Sequence, residues 1–73
     1  MKTLSTRKVE IYHCGQFINL EIEEYKTLFH VHFCDPRKYF SHLHTITFKK
    51  YKSLKLSDIV KYCYEYALAK RYF

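Results

Sequence analysis

Four histidines are the residues of this sequence with the clearest capacity for chemistry. They form two His-x-His pairs, His30 with His32 and His42 with His44. Alternate residues of a strand project to the same face of a sheet, so two such pairs on neighbouring strands can bind zinc. Glu21, which the strand pairing described below sets opposite His30, is a candidate carboxylate ligand or a partner that fixes a histidine tautomer.

The predicted strand parity separates the two histidine pairs. His30 and His32 fall on the outer face of the predicted sheet, whereas His42 and His44 share the parity of inward-facing apolar residues. Only a bulge near His44 brings all four rings together. We therefore predict no metal-binding residue and leave metal binding by these histidines as an open alternative.

Catalytic groups of other kinds are poorly supported by the spacing. Cys14, Cys34 and Cys63 are odd in number and widely separated, which favours reduced thiols over a disulfide framework. Glu21 and Glu23 lie two residues apart on an exposed strand, where carboxylates commonly serve solubility and edge protection. A single glycine rules out a glycine-rich phosphate loop. The sequence predicts a non-enzymatic protein without a cofactor.

The basic half of the chain carries the strongest functional signal. Residues 37–73 hold nine Lys or Arg against two Asp or Glu, a net charge of +7, whereas residues 1–36 have a net charge of −1. Cations neutralise phosphates and aromatic rings stack on unpaired bases, so this mixture favours single-stranded nucleic acid or a nucleoprotein as partner. The predicted nucleic-acid-binding residues are Arg37, Lys38, Tyr39, Phe40, Lys49, Lys50, Tyr51, Lys52, Lys55, Lys70 and Arg71.

An alternative function follows from an apolar set on the outer face. Tyr12, Phe17 and Leu28 are predicted there as a protein interface, for a host protein or for a second copy in a homodimer. The abundance of Lys, Tyr, Phe and Ile, which A/T-rich codons encode, indicates a low-GC genome such as that of a bacterium, phage or virus. A small domain of this kind with few cysteines and no catalytic set fits a protein of a phage or mobile element. The alternative is therefore an inhibitor of a host nuclease or RNA-guided effector that acts through protein–protein contacts. Its positive charge argues against a DNA mimic.

Alternating apolar residues predict the strands that position these groups. Residues from Arg7 onward alternate, and Cys14-Gly15 supplies a two-residue turn that sets Ile11 opposite Ile18. A second turn at Tyr25-Lys26 is predicted to return the chain as a third strand. The resulting cross-strand pairs are Val9 with Leu20, Tyr12 with Phe17, Ile22 with Phe29, Leu20 with Val31, Ile18 with Phe33, Glu21 with His30 and Asn19 with His32.

The rest of the chain predicts a fourth strand and a helix. The strand covers His42–Lys50, with Ile46 and Phe48 inward. Ser57 is the predicted N-cap of the helix. The predicted apolar stripe of the helix consists of Ile59, Tyr62, Cys63, Tyr66 and Phe73.

Length and composition set the overall expectation. With 73 residues and 48% hydrophobic residues, the chain is predicted to form one α+β domain over residues 7–73 after a flexible lead-in at 1–6. The domain has the order β-β-β-β-α, a four-stranded antiparallel sheet with the C-terminal helix packed on one face. No signal peptide or membrane span is apparent, which favours a cytoplasmic protein.

Overall fold

The protein has the predicted α+β architecture. The computed structural model describes residues 3–35, 41–51 and 53–72, and at positions 41–43 it describes the backbone. Four strands, β1 (Ser5–His13), β2 (Gln16–Glu24), β3 (Leu28–Asp35) and β4 (Ser41–Lys49), precede one helix, α1 (Leu56–Ala69). The strands form one antiparallel sheet in the order β1-β2-β3-β4. β1 begins two residues before the predicted start, so Ser5 and Thr6 belong to the sheet and not to a lead-in.

The β1–β2 hairpin has the predicted turn and register. Cys14 and Gly15 have φ values of 51° and 79°, the left-handed pair that a type I′ turn requires. Ile11 lies opposite Ile18 and Tyr12 lies opposite Phe17. Glycine is the cheapest residue at such a φ value, and it stands at the second turn position.

The predicted register between β2 and β3 is wrong by two residues. Ile22 lies opposite Val31, not Phe29, and Glu21 lies opposite His32, not His30. The Tyr25 N–H donates to the Leu28 carbonyl at 2.8 Å, so the turn is centred on Lys26 and Thr27, one residue later than predicted. A shift of two residues keeps every side chain on its face.

The apolar face is therefore the predicted one despite that shift. Its buried members on the sheet are Ile11, Ile18, Leu20, Ile22, Val31 and Phe33. Val9, Phe29, Ile46 and Phe48 are partly buried around them. We call this the inner face, because α1 covers it with the buried side chains of Ile59, Cys63 and Ala67.

The N-cap of helix α1 lies two residues before the predicted N-cap, and the helix ends in an irregular turn. Lys55 is the N-cap, and the Asp58 carboxylate accepts its backbone N–H at 3.1 Å, so Ser57 lies inside the first turn. At the other end Arg71 has φ 58°. The Tyr72 N–H donates to the Ala67 carbonyl at 3.0 Å and the Arg71 N–H to the Leu68 carbonyl at 3.2 Å, which is a Schellman motif without glycine.

Strand β4 lies at the free edge of the sheet and contains an irregularity. It spans Ser41–Lys49, one residue earlier at each end than predicted. Phe33 pairs with His44 and Cys34 with His42, so the backbone of β4 takes up one extra residue at position 43. Such a bulge bends an edge strand and increases its twist.

Candidate nucleic-acid interface

An aromatic surface lies where helix α1 passes β4. The His44 ring stacks on the Tyr66 ring at 5.3 Å between centroids and 12° between planes. Tyr66 in turn lies 6.4 Å from Tyr62 with an angle of 24°. The Phe48 ring meets Tyr62 edge to face at 5.4 Å. Together with Lys70, these residues form what we call the helix–β4 edge.

The helix–β4 edge results from helix and strand periodicity acting together. Tyr62, Tyr66 and Lys70 follow one another at intervals of four residues, so they form one row along α1. His44 and Phe48 project from β4 on the inner face, toward that row. Among the described strands β4 is at the edge of the sheet, and Tyr62 beside it is 51% exposed.

The electrostatics of this edge suit an anionic, π-rich ligand. The Lys70 ammonium lies 5.8 Å from the centre of the Tyr66 ring, within cation–π range. The Tyr72 ring packs at 6.3 Å on the inner side of Tyr66 and at 5.8 Å against Phe33. Burial raises the pKa of Tyr72, and the electrostatic effect of the nearby Tyr66 raises it further. This phenol therefore stays neutral at physiological pH.

The predicted basic residues fall at the two ends of the helix–β4 edge. Tyr51 and Lys55 are exposed around the link between β4 and α1, where Tyr51 is 64% exposed. Lys49 is also exposed, but it projects from the outer face, opposite Leu28. Lys70 and Arg71 are exposed at the end of α1. A helix of 14 residues separates the two groups by about 21 Å, and the aromatic rings lie between them.

One predicted binding residue is already engaged within the protein. The Lys50 ammonium contacts the Glu24 carboxylate at 2.7 Å and lies 5.0 Å above the centre of the Phe29 ring. The hydrogen bond from Lys50 lowers the pKa of Glu24, which keeps this carboxylate ionised. The predicted residues Arg37, Lys38, Tyr39, Phe40 and Lys52 lie outside the described residues.

The central residues of the edge were missed by the sequence reasoning. Tyr62 and Tyr66 were assigned to the buried stripe of the helix, but Tyr62 is half exposed and Tyr66 only partly buried. The buried stripe is formed instead by Ile59, Cys63 and Ala67. Phe73, also predicted in the stripe, lies outside the described residues. The four-residue spacing of two tyrosines and a lysine was the available signal.

The outer face of the sheet brings together only two of the three residues predicted as a protein interface. Tyr12 and Phe17 are exposed neighbours with ring centroids 5.6 Å apart. Leu28 lies at the opposite end of the sheet, opposite Lys49. The Tyr12 hydroxyl donates to the Glu10 carboxylate, and this hydrogen bond raises the pKa of Tyr12.

A second polar constellation occupies the middle of the outer face. Imidazole Nε2 of His32 lies 2.7 Å from Glu23 Oε1, and Nδ1 lies 2.7 Å from the Thr45 hydroxyl. Ligand atoms of Glu21, Glu23 and His32 all lie within 4.8 Å of one another. The hydrogen bond with His32 lowers the pKa of Glu23. The two-residue error in register concealed this cluster, because it set Asn19 opposite His32.

Two of the three cysteines are buried. Cys14 is exposed in the β1–β2 turn, whereas Cys34 and Cys63 are buried. Burial raises the pKa of Cys63 to about 12. Burial also raises the pKa of Cys34, with a smaller contribution from the charge of Glu21. Neither buried thiol has the lowered pKa that a nucleophilic cysteine needs.

Comparisons with known proteins leave this geometry as the basis for any assignment. No protein-family model matches the chain, and neither a curated protein nor a solved structure matches it significantly. Within the described residues, no helix has both the length and the apolar character needed to cross a membrane.

Proposed function

We propose that this protein is a non-enzymatic binding module that engages single-stranded nucleic acid along the helix–β4 edge. The observation that carries the proposal is the row of stacked rings, His44, Tyr66 and Tyr62, of which His44 and Tyr62 are exposed, with Lys70 at one end. Base–aromatic stacking contributes about 1–3 kcal/mol per base and tolerates any base, because every base has a π face. Nucleobases stack on the exposed rings while the backbone follows the lysines.

The charge distribution supports a phosphate-containing partner on this side of the molecule. From residue 53 to residue 72, the described positions hold four Lys or Arg and two Asp or Glu, a net charge of +2. Lys49 is not counted because it projects from the outer face, and Lys50 is paired with Glu24. The outer face carries Glu10, Glu21 and Glu23 near its centre, which repel a phosphate backbone. The nucleic acid therefore approaches from the helix side of β4.

The test measures binding of a labelled single strand of about 12 nucleotides, within the ~4–16 nucleotides typical of such sites. Fluorescence anisotropy compares single-stranded DNA, single-stranded RNA and duplex DNA at two salt concentrations. Tyr62→Ser removes an exposed ring and is expected to weaken single-strand binding by about 5- to 100-fold, the equivalent of one stacked base. Tyr62→Phe keeps the ring and is expected to bind like the parent protein.

A matched pair of lysine substitutions tests the electrostatic part. Lys70→Gln is expected to weaken binding and to reduce the slope of log K against log salt by about 0.7, since one phosphate contact is lost. Lys26→Gln makes the same chemical change in the exposed turn between β2 and β3 and is expected to leave the slope unchanged. Equal effects of the two substitutions, or no binding to any of the three nucleic acids, contradict the proposal.

The exposed pair Tyr12 and Phe17 supports a second candidate function. Two adjacent rings on a sheet face suit a protein partner, and an inhibitor of a nucleic-acid enzyme that acts through such contacts is the corresponding function. A second copy of this chain, in a homodimer, is the other candidate partner for Tyr12 and Phe17. Replacing both residues by Ser is expected to lower the mass measured by light scattering if the pair holds a dimer. Parent protein that is monomeric and silent toward all oligonucleotides favours the inhibitor.

A further inference from the structure

We propose that Glu21, Glu23 and His32 bind a divalent first-row transition ion on the outer face of the sheet, with Zn²⁺ as the representative ion. Two carboxylate oxygens and an imidazole nitrogen within 4.8 Å of one another can converge on one ion at bonds of about 2.0–2.2 Å. This site lies on the face opposite the helix. It is independent of the nucleic-acid interface.

The sheet itself holds the three ligands in place. Glu21 lies opposite His32 on the neighbouring strand, and Glu23 lies two residues further along β2 on the same face. Directly opposed Cβ atoms are about 4.5–5.5 Å apart, and the diagonal neighbour is within reach of long side chains. The side chains are also sheltered, because His32 is 15% exposed and Glu23 is 24% exposed. No loop has to close to assemble the set.

Thr45 orients the imidazole for metal binding. Its hydroxyl lies 2.7 Å from His32 Nδ1, and Nε2 of the same ring forms a hydrogen bond with Glu23 at 2.7 Å. An ion that binds between Nε2 and Glu23 replaces this hydrogen bond, and the Thr45 hydroxyl then accepts the N–H of Nδ1. A histidine ligand whose second nitrogen is held by a hydrogen bond is the usual arrangement in metal proteins.

The ligand set favours a transition ion over magnesium. Imidazole suits zinc and its neighbours, whereas Mg²⁺ prefers oxygen ligands and retains its waters. Three protein ligands leave at least one position for water. Lys8 lies opposite Glu21 on the neighbouring strand β1, and its positive charge repels a cation bound at Glu21. This lysine provides a test that loss of folding cannot imitate.

The experiment is a calorimetric titration of the full chain with ZnCl₂ alone. The protein carries Cys14→Ser, which removes the exposed thiol. One ion per chain is expected, and a 100-fold excess of MgCl₂ is expected not to compete. Glu21→Gln and Glu23→Gln are each expected to weaken Zn²⁺ binding by at least about tenfold, and Thr45→Val by about tenfold or more. Glu65→Gln, the same change on the exposed side of the helix, is expected to bind Zn²⁺ as the parent does.

A gain of affinity completes the test. Lys8→Gln is expected to tighten Zn²⁺ binding by a few-fold, since it removes a cation next to Glu21. Zn²⁺ binding that does not respond to Glu21→Gln, Glu23→Gln or Lys8→Gln overturns the proposal, and so does the absence of binding at millimolar Zn²⁺. Circular dichroism of each variant establishes that the sheet is intact. Oligonucleotide binding, measured separately, does not bear on this outcome.

Discussion

At the scale of single residues, the three cysteines show how burial separates identical side chains. Cys14 is exposed at the tip of a hairpin, Cys34 is 4% exposed, and Cys63 is fully enclosed under the helix. Reactivity of a cysteine depends on access and on the fraction of thiolate. A pKa of about 12 leaves Cys63 almost entirely protonated at pH 8.

We therefore expect one fast thiol in the native protein. With Ellman's reagent at pH 8, Cys14 is expected to react first, and Cys34 and Cys63 to react only as the chain unfolds. Addition of guanidinium chloride is expected to release the remaining two equivalents. Cys14→Ser is the control and is expected to abolish the fast phase. A fast phase that persists in Cys14→Ser contradicts the burial of the other two thiols.

At the scale of elements, the end of α1 carries a conformational cost. Arg71 occupies the C′ position of the Schellman motif with φ 58°, where glycine is the usual residue. A left-handed conformation costs a residue with a side chain about 1–2 kcal/mol. The motif holds Tyr72 against Phe33, so the cost is offset by packing.

Arg71→Gly is accordingly expected to stabilise the protein. The gain is about 1 kcal/mol, which raises the Tm of a domain of this size by roughly 4–8 °C. Thermal unfolding followed by circular dichroism measures it. The matched control is Lys70→Gly, at a position with φ −88°, where glycine relieves no strain and is expected to lower the Tm or leave it unchanged. A lower Tm for Arg71→Gly means that Arg71 is not left-handed in solution.

Sequence alone was sufficient for the elements and for the apolar face. Alternation in β1, β2 and β3 assigns each side chain to a face. Cys14-Gly15 fixes the first hairpin, because a two-residue turn at this point places the one glycine of the chain at a positive φ value. The second hairpin has no glycine to mark its turn. Centring it on Tyr25-Lys26 or on Lys26-Thr27 gives the same apolar face, so the hydrophobic pattern cannot distinguish the two registers.

The candidate sites depend on the strand register and on the rotation of α1 over the sheet, which the hydrophobic pattern does not determine. The cluster of Glu21, Glu23 and His32 exists only in the observed register, since the predicted register sets Glu23 opposite Leu28, four residues away from His32. The helix–β4 edge depends on how α1 is rotated over the sheet, which directs Cys63 inward and leaves Tyr62 half exposed. Both tyrosine and cysteine are compatible with a buried stripe, so the sequence could not choose between them.

At the scale of the whole molecule, the two faces of the sheet have different chemistry. The face that carries α1 ends in exposed rings beside β4 and in Lys70 of the helix, whereas the outer face presents carboxylates, histidines and the pair Tyr12 and Phe17. The molecule extends only 16 Å along its shortest axis. Two ligands bound on opposite faces are therefore close to each other, but the sheet lies between them. The face on which a ligand binds therefore distinguishes the proposed functions.

Photo-cross-linking locates the bound strand. A single strand of about 12 nucleotides that contains 5-iodouracil, an analogue that cross-links to neighbouring aromatic rings, is irradiated with the protein and the adducts are mapped by mass spectrometry. Adducts are expected on Tyr62 or His44, because these rings are exposed on the helix side of β4. Tyr62→Phe is expected to retain its adduct and Tyr62→Ser to lose it. Adducts concentrated on Tyr12 and Phe17 contradict the helix–β4 edge as the interface and assign the nucleic acid to the outer face, where stacking outweighs the repulsion from Glu10.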